Sequence, residues 1–486
     1  MSLIYFETIG CPKNREDSER MAGLLSRAGH GLARTPDEAD FIIVNTCGFI
    51  EDAKKESIEA IFEMLDYKAD HRKVVVTGCL TQRYADEMAE ELPEVDAFLG
   101  VNDYERLPDL LAELEGAVKA RGVGMTEQDS VIPGSDPGSI GLDSARVFAS
   151  QDVGILTGDR LALDPRYSSY LKVGEGCSNA CTYCIIPKIR GPYRSVPMDT
   201  LIEEARKLAT EGAKELVLIA QDVTYYGTDL RRGDSGSGAG MTSRTTGMTE
   251  PVSDLPELLR RLCHEEGLEE IRWIRLLYCY EERITDELIR VMAQEEKICN
   301  YIDIPIQHVA DSVLSRMNRH STKASIQSTI AKLRAAMPDI SIRTTIITGF
   351  PGETDEEFSQ LREFVQETRL DRLGVFAYSR EEGTVAFDMP DQVPEEVAIQ
   401  RRDELMRLQI DISLEKNEEE IGKVLDVIID DIEDEYYLGR TRKDAPEIDN
   451  AVIITAVGAL NPELIGEILK VKITDAMDYD LVGELI

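Results

Sequence analysis

The chain has 486 residues, enough for two to four domains. Hydrophobic residues make up 42% and charged residues 30%, and no apolar run approaches the ~20 residues of a membrane-spanning helix, so packed cores are expected and a membrane protein is not. The balance of 54 Lys and Arg against 92 Asp and Glu gives a net charge of −38, a surface that repels phosphate backbones and attracts basic partners.

Met1-Ser2-Leu3-Ile4-Tyr5-Phe6-Glu7 lacks the basic and apolar regions of a secretory leader, so a cytoplasmic location is expected. Leu3–Ile9, Phe41–Val44 and Val74–Val76 read as buried parallel strands. Between them Ile58, Ile61, Phe62 and Leu65 form the apolar stripe of a helix. Residues 1–121 are thus an α/β parallel-sheet domain. The Gly-, Ser-, Asp- and Pro-rich stretch 122–164 reads as a linker with little regular structure.

Within 165–394, strands are predicted at Tyr170–Val173, Leu216–Ala220, Ile271–Leu277, Tyr301–Ile304, Ile340–Ile347 and Leu373–Phe376. Helical patterns such as Leu201–Ala209, Leu255–Cys263 and Glu356–Thr368 separate them. Six βα units describe a TIM-like barrel, complete or partial, with its chemistry at the carboxyl ends of the strands. Arg231–Thr249, nearly all Gly, Ser, Thr and Arg, reads as a mobile surface loop. A helical connector, 395–417, leads to 418–486, where Val424–Ile429, Val452–Val457 and Leu469–Ile473 predict a small OB-like β-barrel. That segment holds six basic and eighteen acidic residues, a net charge of −12.

Nine cysteines, an odd number without a leader, point to metal binding or catalysis rather than disulfides. Cys177, Cys181 and Cys184 form a CxxxCxxC run directly after the first strand of the second α/β region. Three thiolates this close can hold three irons of a [4Fe–4S] cluster and leave the fourth iron open. Zinc is the rival, but it prefers paired ligands or a nearby His, and the next His downstream is His264. Cys11, Cys47 and Cys79 each follow a strand, at separations of 36 and 32 residues, about one βαβ unit apiece. Carboxyl ends of parallel strands share one edge, so these three converge. Gly10, Gly48 and Gly78 beside them let backbone crowd a bulky cluster.

Cys263, Cys279 and Cys299 read as core thiols. His308 follows a barrel strand and is either near the site or structural. The turn Thr348-Gly349-Phe350-Pro351-Gly352-Glu353-Thr354 would let a ligand approach the backbone.

The CxxxCxxC run resembles that of the radical S-adenosylmethionine enzymes. With Cys11, Cys47 and Cys79 and a C-terminal β-barrel, the whole chain resembles the methylthiotransferases. Gly10-Cys11-Pro12-Lys13-Asn14 with Asp17-Ser18-Glu19, Asn45-Thr46-Cys47-Gly48-Phe49-Ile50, Gly78-Cys79-Leu80-Thr81-Gln82-Arg83-Tyr84 and Asp444-Ala445-Pro446-Glu447-Ile448-Asp449 look like the protein-modifying branch. That branch methylthiolates the β-carbon of an aspartate in small-subunit ribosomal protein twelve.

The resemblance implies a second [4Fe–4S] cluster on Cys11, Cys47 and Cys79 that carries the sulfur, and a substrate-binding TRAM domain at the C-terminus. It also implies two S-adenosylmethionine molecules per turnover, one methylating the sulfur and one cleaved at the cluster of Cys177, Cys181 and Cys184. Gln221, Asp222, Arg343, Gly349 and Glu353 would border that cofactor. A cellular reductant and a sulfur donor complete the partners, with no membrane and with tRNA disfavoured. Val196 departs from the family, which usually has arginine there, and so a cofactor or substrate contact in that stretch is in question. Two rivals remain at this stage. A tRNA adenosine methylthiotransferase should show a basic C-terminal surface, and a non-enzymatic iron–sulfur scaffold would not need the barrel.

Overall fold

Two of the three strands predicted near the N-terminus run further than their apolar centres, to Phe41–Thr46 and Lys73–Gly78, while the first ends one residue early, at Thr8. A computed structural model describes residues 1–69, 71–122, 146–150, 158–163, 166–230, 254–455 and 459–486. They divide into two units, Met1–Asp164 with Ile185–Pro192, and Pro165–Cys184 with Tyr193–Ile486. The loop predicted at Arg231–Thr249 lies outside the described residues.

The first unit contains β1 (Leu3–Thr8), α1 (Pro12–Arg27), β2 (Gly31–Leu32), β3 (Phe41–Thr46), α2 (Glu51–Asp66), β4 (Lys73–Gly78), α3 (Cys79–Glu91), β5 (Ala97–Gly100), α4 (Leu107–Gly122) and β6 (Arg146–Phe148). Later in the chain, α5 (Ile186–Arg190) joins it. All six strands are parallel, in the order β2-β1-β3-β4-β5-β6. One face packs Ile43, Val75 and Leu99 with α1 and α4, the other Ile42, Val44, Val74 and Val76 with α2 and α3. A sheet covered on both faces needs unbroken apolar strands, which is why these runs do not alternate with polar residues.

The stretch 122–164, expected to hold little regular structure, contributes one short edge strand among its described residues, with Arg146, Val147 and Phe148 paired to Ala97, Phe98 and Leu99. Three residues are too few to carry a periodic signal. On α2 the buried residues are Ser57, Ala60, Ile61 and Met64, while Ile58 and Phe62 are 40% and 54% exposed. A polar residue, Ser57, turned the helix.

The second unit begins with β7 (Ser168–Lys172), β8 (Gly174–Glu175), β9 (Arg194–Ser195), α6 (Met198–Thr210), β10 (Glu215–Ile219), α7 (Leu255–His264), β11 (Trp273–Leu276), α8 (Asp286–Gln294) and β12 (Ile298–Asp303). It continues with α9 (Asp311–Arg316), α10 (Lys323–Ala336), β13 (Ser341–Thr348), α11 (Asp355–Thr368), β14 (Arg372–Ala377) and α12 (Glu395–Glu418). Capping boxes at Thr322 with Ser325 and at Thr354 with Glu357 start α10 and α11. The parallel strands lie in chain order, β7-β10-β11-β12-β13-β14, and do not close, so the barrel is partial. A closed five-stranded barrel follows, β15 (Val424–Glu433), β16 (Tyr436–Thr441), β17 (Val452–Thr455), β18 (Ile468–Ala476) and β19 (Leu481–Leu485). The sequence reading lacked β16 and β19.

This small barrel packs against the amino-terminal ends of the parallel strands. Ile428 and Ala445 share one core cluster with Tyr170, Val217, Trp273 and Tyr301. Buried charges surround that cluster. Glu215, the first residue of β10, pairs with Arg275 at 2.9 Å and with Arg440 at 2.7 Å. Arg440 also meets Asp430 at 2.9 Å, and Arg372 pairs with Asp444. Asp449 accepts a hydrogen bond from Tyr301 at 2.6 Å and lies 3.3 Å from Arg343. The motif Asp444–Asp449 therefore fastens the C-terminal barrel in place.

Burial alone would raise the Glu215 carboxyl, but Arg440 and Arg275 outweigh it and bring the pKa down to about 2. Asp430 shares only Arg440 and faces the charge of Glu215, so burial leaves it raised to about 6. A depressed carboxylate contributes stability that is complete above its unfolded value and is lost as pH falls towards its folded value. Glu215 should thus contribute fully above pH ~5 and lose its contribution between there and pH ~2. Glu215→Gln leaves two buried guanidinium groups short of their anion and should cost about 3–5 kcal/mol. Urea unfolding at pH 7 measures the cost, and the wild-type advantage should shrink in a series taken towards pH 3.

Candidate functional site

In the first unit, β1, β3 and β4 are neighbours, and their register aligns their ends: Thr8 lies opposite Asn45, and Thr46 opposite Gly78. Cys11, Cys47 and Cys79 therefore leave adjacent strands at one level, on one edge. Asn14 fixes this edge by donating to the carbonyls of Ile9 at 2.9 Å and Thr46 at 3.0 Å, while Asn45 donates to the Asn14 carbonyl at 2.8 Å. Ser57 of α2 accepts from the Cys47 N–H at 2.9 Å and donates to its carbonyl at 3.1 Å. Holding Cys47 is what turns Ser57 inward, at 0% exposure, and leaves Ile58 and Phe62 outside.

The predicted glycines are needed. A Cβ on Gly10 would stand 2.7 Å from Cys47 Cβ and 3.2 Å from its Sγ. Gly78 has φ 103° and ψ −161°, a region open almost only to glycine, and a Cβ there would lie 2.4 Å from the Thr46 carbonyl.

Burial, with the Cys79 and Cys11 thiols nearby, pushes Cys47 up to about 12. Burial also raises Cys79, opposed chiefly by Arg190. A trio with two buried thiols and one half-buried one ionises when iron supplies positive charge, so the donor set suits an iron–sulfur cluster. Among the described residues no group of three or more His, Cys, Asp or Glu side chains is drawn together tightly enough to hold a metal ion.

Arg190, which the sequence reading did not single out, belongs to this unit through α5. It is 3% exposed, donates from Nε to Cys79 Sγ at 3.3 Å, and from Nη2 reaches Asn14 at 3.1 Å and Asp17 at 3.0 Å. Ile185 and Ile189 beside it pack on Cys79.

In the second unit the CxxxCxxC run leaves β8, whose pairing with β9 closes the base of the loop. Its backbone is pinned at Thr182, whose N–H donates to the Met317 carbonyl at 3.1 Å, and at Ala180, whose carbonyl accepts from Asn318 at 2.7 Å. Asn179 donates to Asp222 at 2.9 Å, and Arg283 bridges both, at 2.8 Å to Asp222 and 2.9 Å to Asn179. Cys181 Sγ lies 3.5 Å from the Tyr280 hydroxyl. Tyr183 meets Phe350 edge-on at 6.4 Å, which joins the cysteine loop to the Gly349–Glu353 turn. Burial raises Cys177 to about 11.

The five residues expected to border the cofactor have distinct placements. Gln221 follows β10, donates to Glu175 at 2.9 Å, and keeps a buried Oε1 that meets no hydrogen-bond partner among the described residues. Asp222 is buried and engaged by Thr224, Asn179 and Arg283, so it holds the cysteine loop. Gly349 and Glu353 bond each other at 2.8 Å, and Arg401 holds the other Glu353 oxygen at 2.7 Å. Arg343 sits five residues before the end of β13 and is paired with Asp303 and Asp449, towards the C-terminal barrel.

Val196 is buried, bonded through its backbone to Val173 and Tyr226. His308 is buried, which lowers it to about 3; Nδ1 accepts from the Ala310 N–H at 3.0 Å, and Nε2 lies 3.6 Å from Glu353. Cys263, Cys279 and Cys299 are buried. Asn179, Arg283, Tyr280 and Arg190 were missed because their partners are far away in sequence. For Asn179 and Arg190, position inside or just after a cysteine motif was the one available signal.

Comparison with known proteins divides the chain in three. Residues 3–100 match the "Uncharacterized protein family UPF0004", residues 171–365 the Radical SAM superfamily, and residues 421–486 the TRAM domain. The ribosomal protein uS12 methylthiotransferase RimO of Geotalea uraniireducens is 46% identical over 99% of this chain and 97% of its own. That of Clostridioides difficile is 44% identical over 100% and 99%. A solved structure of the radical S-adenosylmethionine methyltransferase TsrM from Kitasatospora setae, with cobalamin and a [4Fe–4S] cluster, aligns with a TM-score of 0.51 at 13% identity. It covers 88% of this chain and 81% of that one, a likeness of fold.

Ser57→Ala strands the buried N–H and carbonyl of Cys47 and should destabilise the protein by about 1–3 kcal/mol. Phe62→Ala, on the outward face of the same helix, should change stability by about 0.5 kcal/mol or less. Urea midpoints of the two variants measure the difference.

Proposed function

We propose a division of labour for this chain, which belongs to the radical S-adenosylmethionine methylthiotransferase family and to its ribosomal protein uS12 branch. The enzyme methylthiolates uS12, with S-adenosylmethionine and [4Fe–4S] clusters as cofactors. The acceptor implied by the family is the β-carbon of an aspartate, whose C–H no ordinary general base removes. When bound, the cluster and S-adenosylmethionine supply the radical chemistry that such a bond demands.

Cys177, Cys181 and Cys184 hold the cluster that serves S-adenosylmethionine. Cys11, Cys47 and Cys79 hold the cluster that serves sulfur transfer. The observation that carries this is the shared register of three adjacent strand ends, which brings the second trio to one edge. Asp222, Asn179 and Arg283 keep the CxxxCxxC loop in shape. Gln221, with its unpartnered buried oxygen, is the best-suited side chain to meet a polar cofactor group. The Gly349–Glu353 turn meets the cysteine loop through Phe350 and Tyr183. Arg343 is assigned to the base of the barrel instead.

The net charge of −12 from Glu418 onward suits a basic ribosomal protein better than tRNA. Asp431, Glu433, Asp434 and Glu435 are exposed, whereas Asp430 is committed to Arg440. The described residues include no helix long and apolar enough to cross a membrane. The cytoplasm, where thiols stay reduced and ribosomes are found, is the compartment the reaction needs, together with a reductant and a sulfur donor.

Anaerobic incubation with ribosomes, followed by mass spectrometry of small-subunit proteins and of tRNA nucleosides, tests the substrate. Methylthio-aspartate in uS12 is expected, and modified tRNA in its place would overturn the branch. Reconstituted enzyme should carry roughly eight irons, four per cubane. Replacing Cys177, Cys181 and Cys184 with Ala should leave about half, and loss of all iron from a folded variant would refute separate sites. Reversing Asp431, Glu433 and Asp434 to Lys should slow association with uS12 roughly ten-fold at low salt. Stopped-flow rates should converge as salt shortens the Debye length.

A further inference from the structure

We infer that Arg190 is a positioning residue for the sulfur-transfer cluster: its guanidinium holds the Cys79 thiolate and raises the reduction potential of the cluster on Cys11, Cys47 and Cys79. This rests on the assignment of that trio as a cluster site.

The geometry gives one cation three anchors. Arg190 spends Nε on Cys79 Sγ at 3.3 Å and Nη2 on Asn14 and Asp17 at 3.1 and 3.0 Å. Asn14 is the residue that ties the ends of β1 and β3, and its Oδ1 lies 3.8 Å from Cys11 Sγ. One side chain thus reaches one cluster cysteine directly and the neighbour of another. Arg190 and Asp17 are 3% and 1% exposed, so water barely screens the charge.

A hydrogen bond to a ligating sulfur and a nearby positive charge both favour the reduced, more negative cluster. The chain position adds a second consequence. Arg190 comes six residues after Cys184, so the segment that follows one cysteine motif supplies an outer partner to the other. A lysine would keep the charge but not the planar fork that serves three acceptors at once.

A merely structural reading makes Arg190 the counterion of buried Asp17. The double variant Arg190→Met/Asp17→Asn removes both charges and so spares the fold an unpaired ion. It should be made in the full chain carrying Cys177, Cys181 and Cys184→Ala, where one cluster remains, and compared with that parent and with Arg190→Lys. Iron content, melting temperature and an EPR-monitored redox titration are the readouts. The expected result is a midpoint shifted to more negative potential in the double variant, with a smaller shift for Arg190→Lys, at unchanged melting temperature. Loss of iron at unchanged melting temperature would also support the proposal, since Cys79 would then be held poorly. Equal midpoints at equal iron would overturn it. A parent that binds no iron at all would overturn the cluster assignment itself, and this inference with it.

Discussion

Strands in a parallel sheet all finish on the same edge, and each hands over there to a helix or loop. That constraint organises both units. It takes Cys11, Cys47 and Cys79, spread over nearly seventy residues, and sets them at the ends of three neighbouring strands. It also starts the CxxxCxxC loop beyond β7 and the Asp222 loop beyond β10, two strands that are paired, so Asn179 and Asp222 can meet. The helices and cores serve mainly to keep those ends level.

Polar side chains then refine what the sheet has roughly placed. Ser57 rotates α2 to reach both backbone groups of Cys47, at the expense of leaving Phe62 in water. Asn14 clips two strand ends together, and Arg283 bridges Asp222 and Asn179. Ser57, Asn14 and Asp222 are buried, so each would be costly without its partner. A cluster site built this way tolerates little drift, because displacing one cysteine breaks hydrogen bonds around it.

The cysteines, the glycines and most strands were legible in the sequence because their signals are local. A CxxxCxxC run, a Gly beside each cysteine and a run such as Phe41–Val44 carry their meaning in a few residues. Contacts between distant residues left no such trace. Asp17 and Arg190 are 173 positions apart, and nothing in either neighbourhood names the other. The stripe on α2 was misjudged because hydrophobicity was counted without the hydrogen bonds that a serine makes. Arg343 was placed with the cofactor turn because both belong to β13 and its exit, although five residues of extended chain span about 16 Å. The edge strand Arg146–Phe148 was too short to announce itself.

The small C-terminal barrel sits against the first residues of the parallel strands, and its loop Asp444–Asp449 contributes Ala445 to their core and two carboxylates to their arginines. This gives the barrel's floor the character of a keyed joint. A C-terminal domain borrowed from a relative with a different substrate would bring its own docking surface, but it would fit only if its charges answered Glu215, Arg275, Arg343 and Arg372. Exchange of this domain between members of the family is therefore a matter of moving a lock and its key together, with the strand starts as the wards.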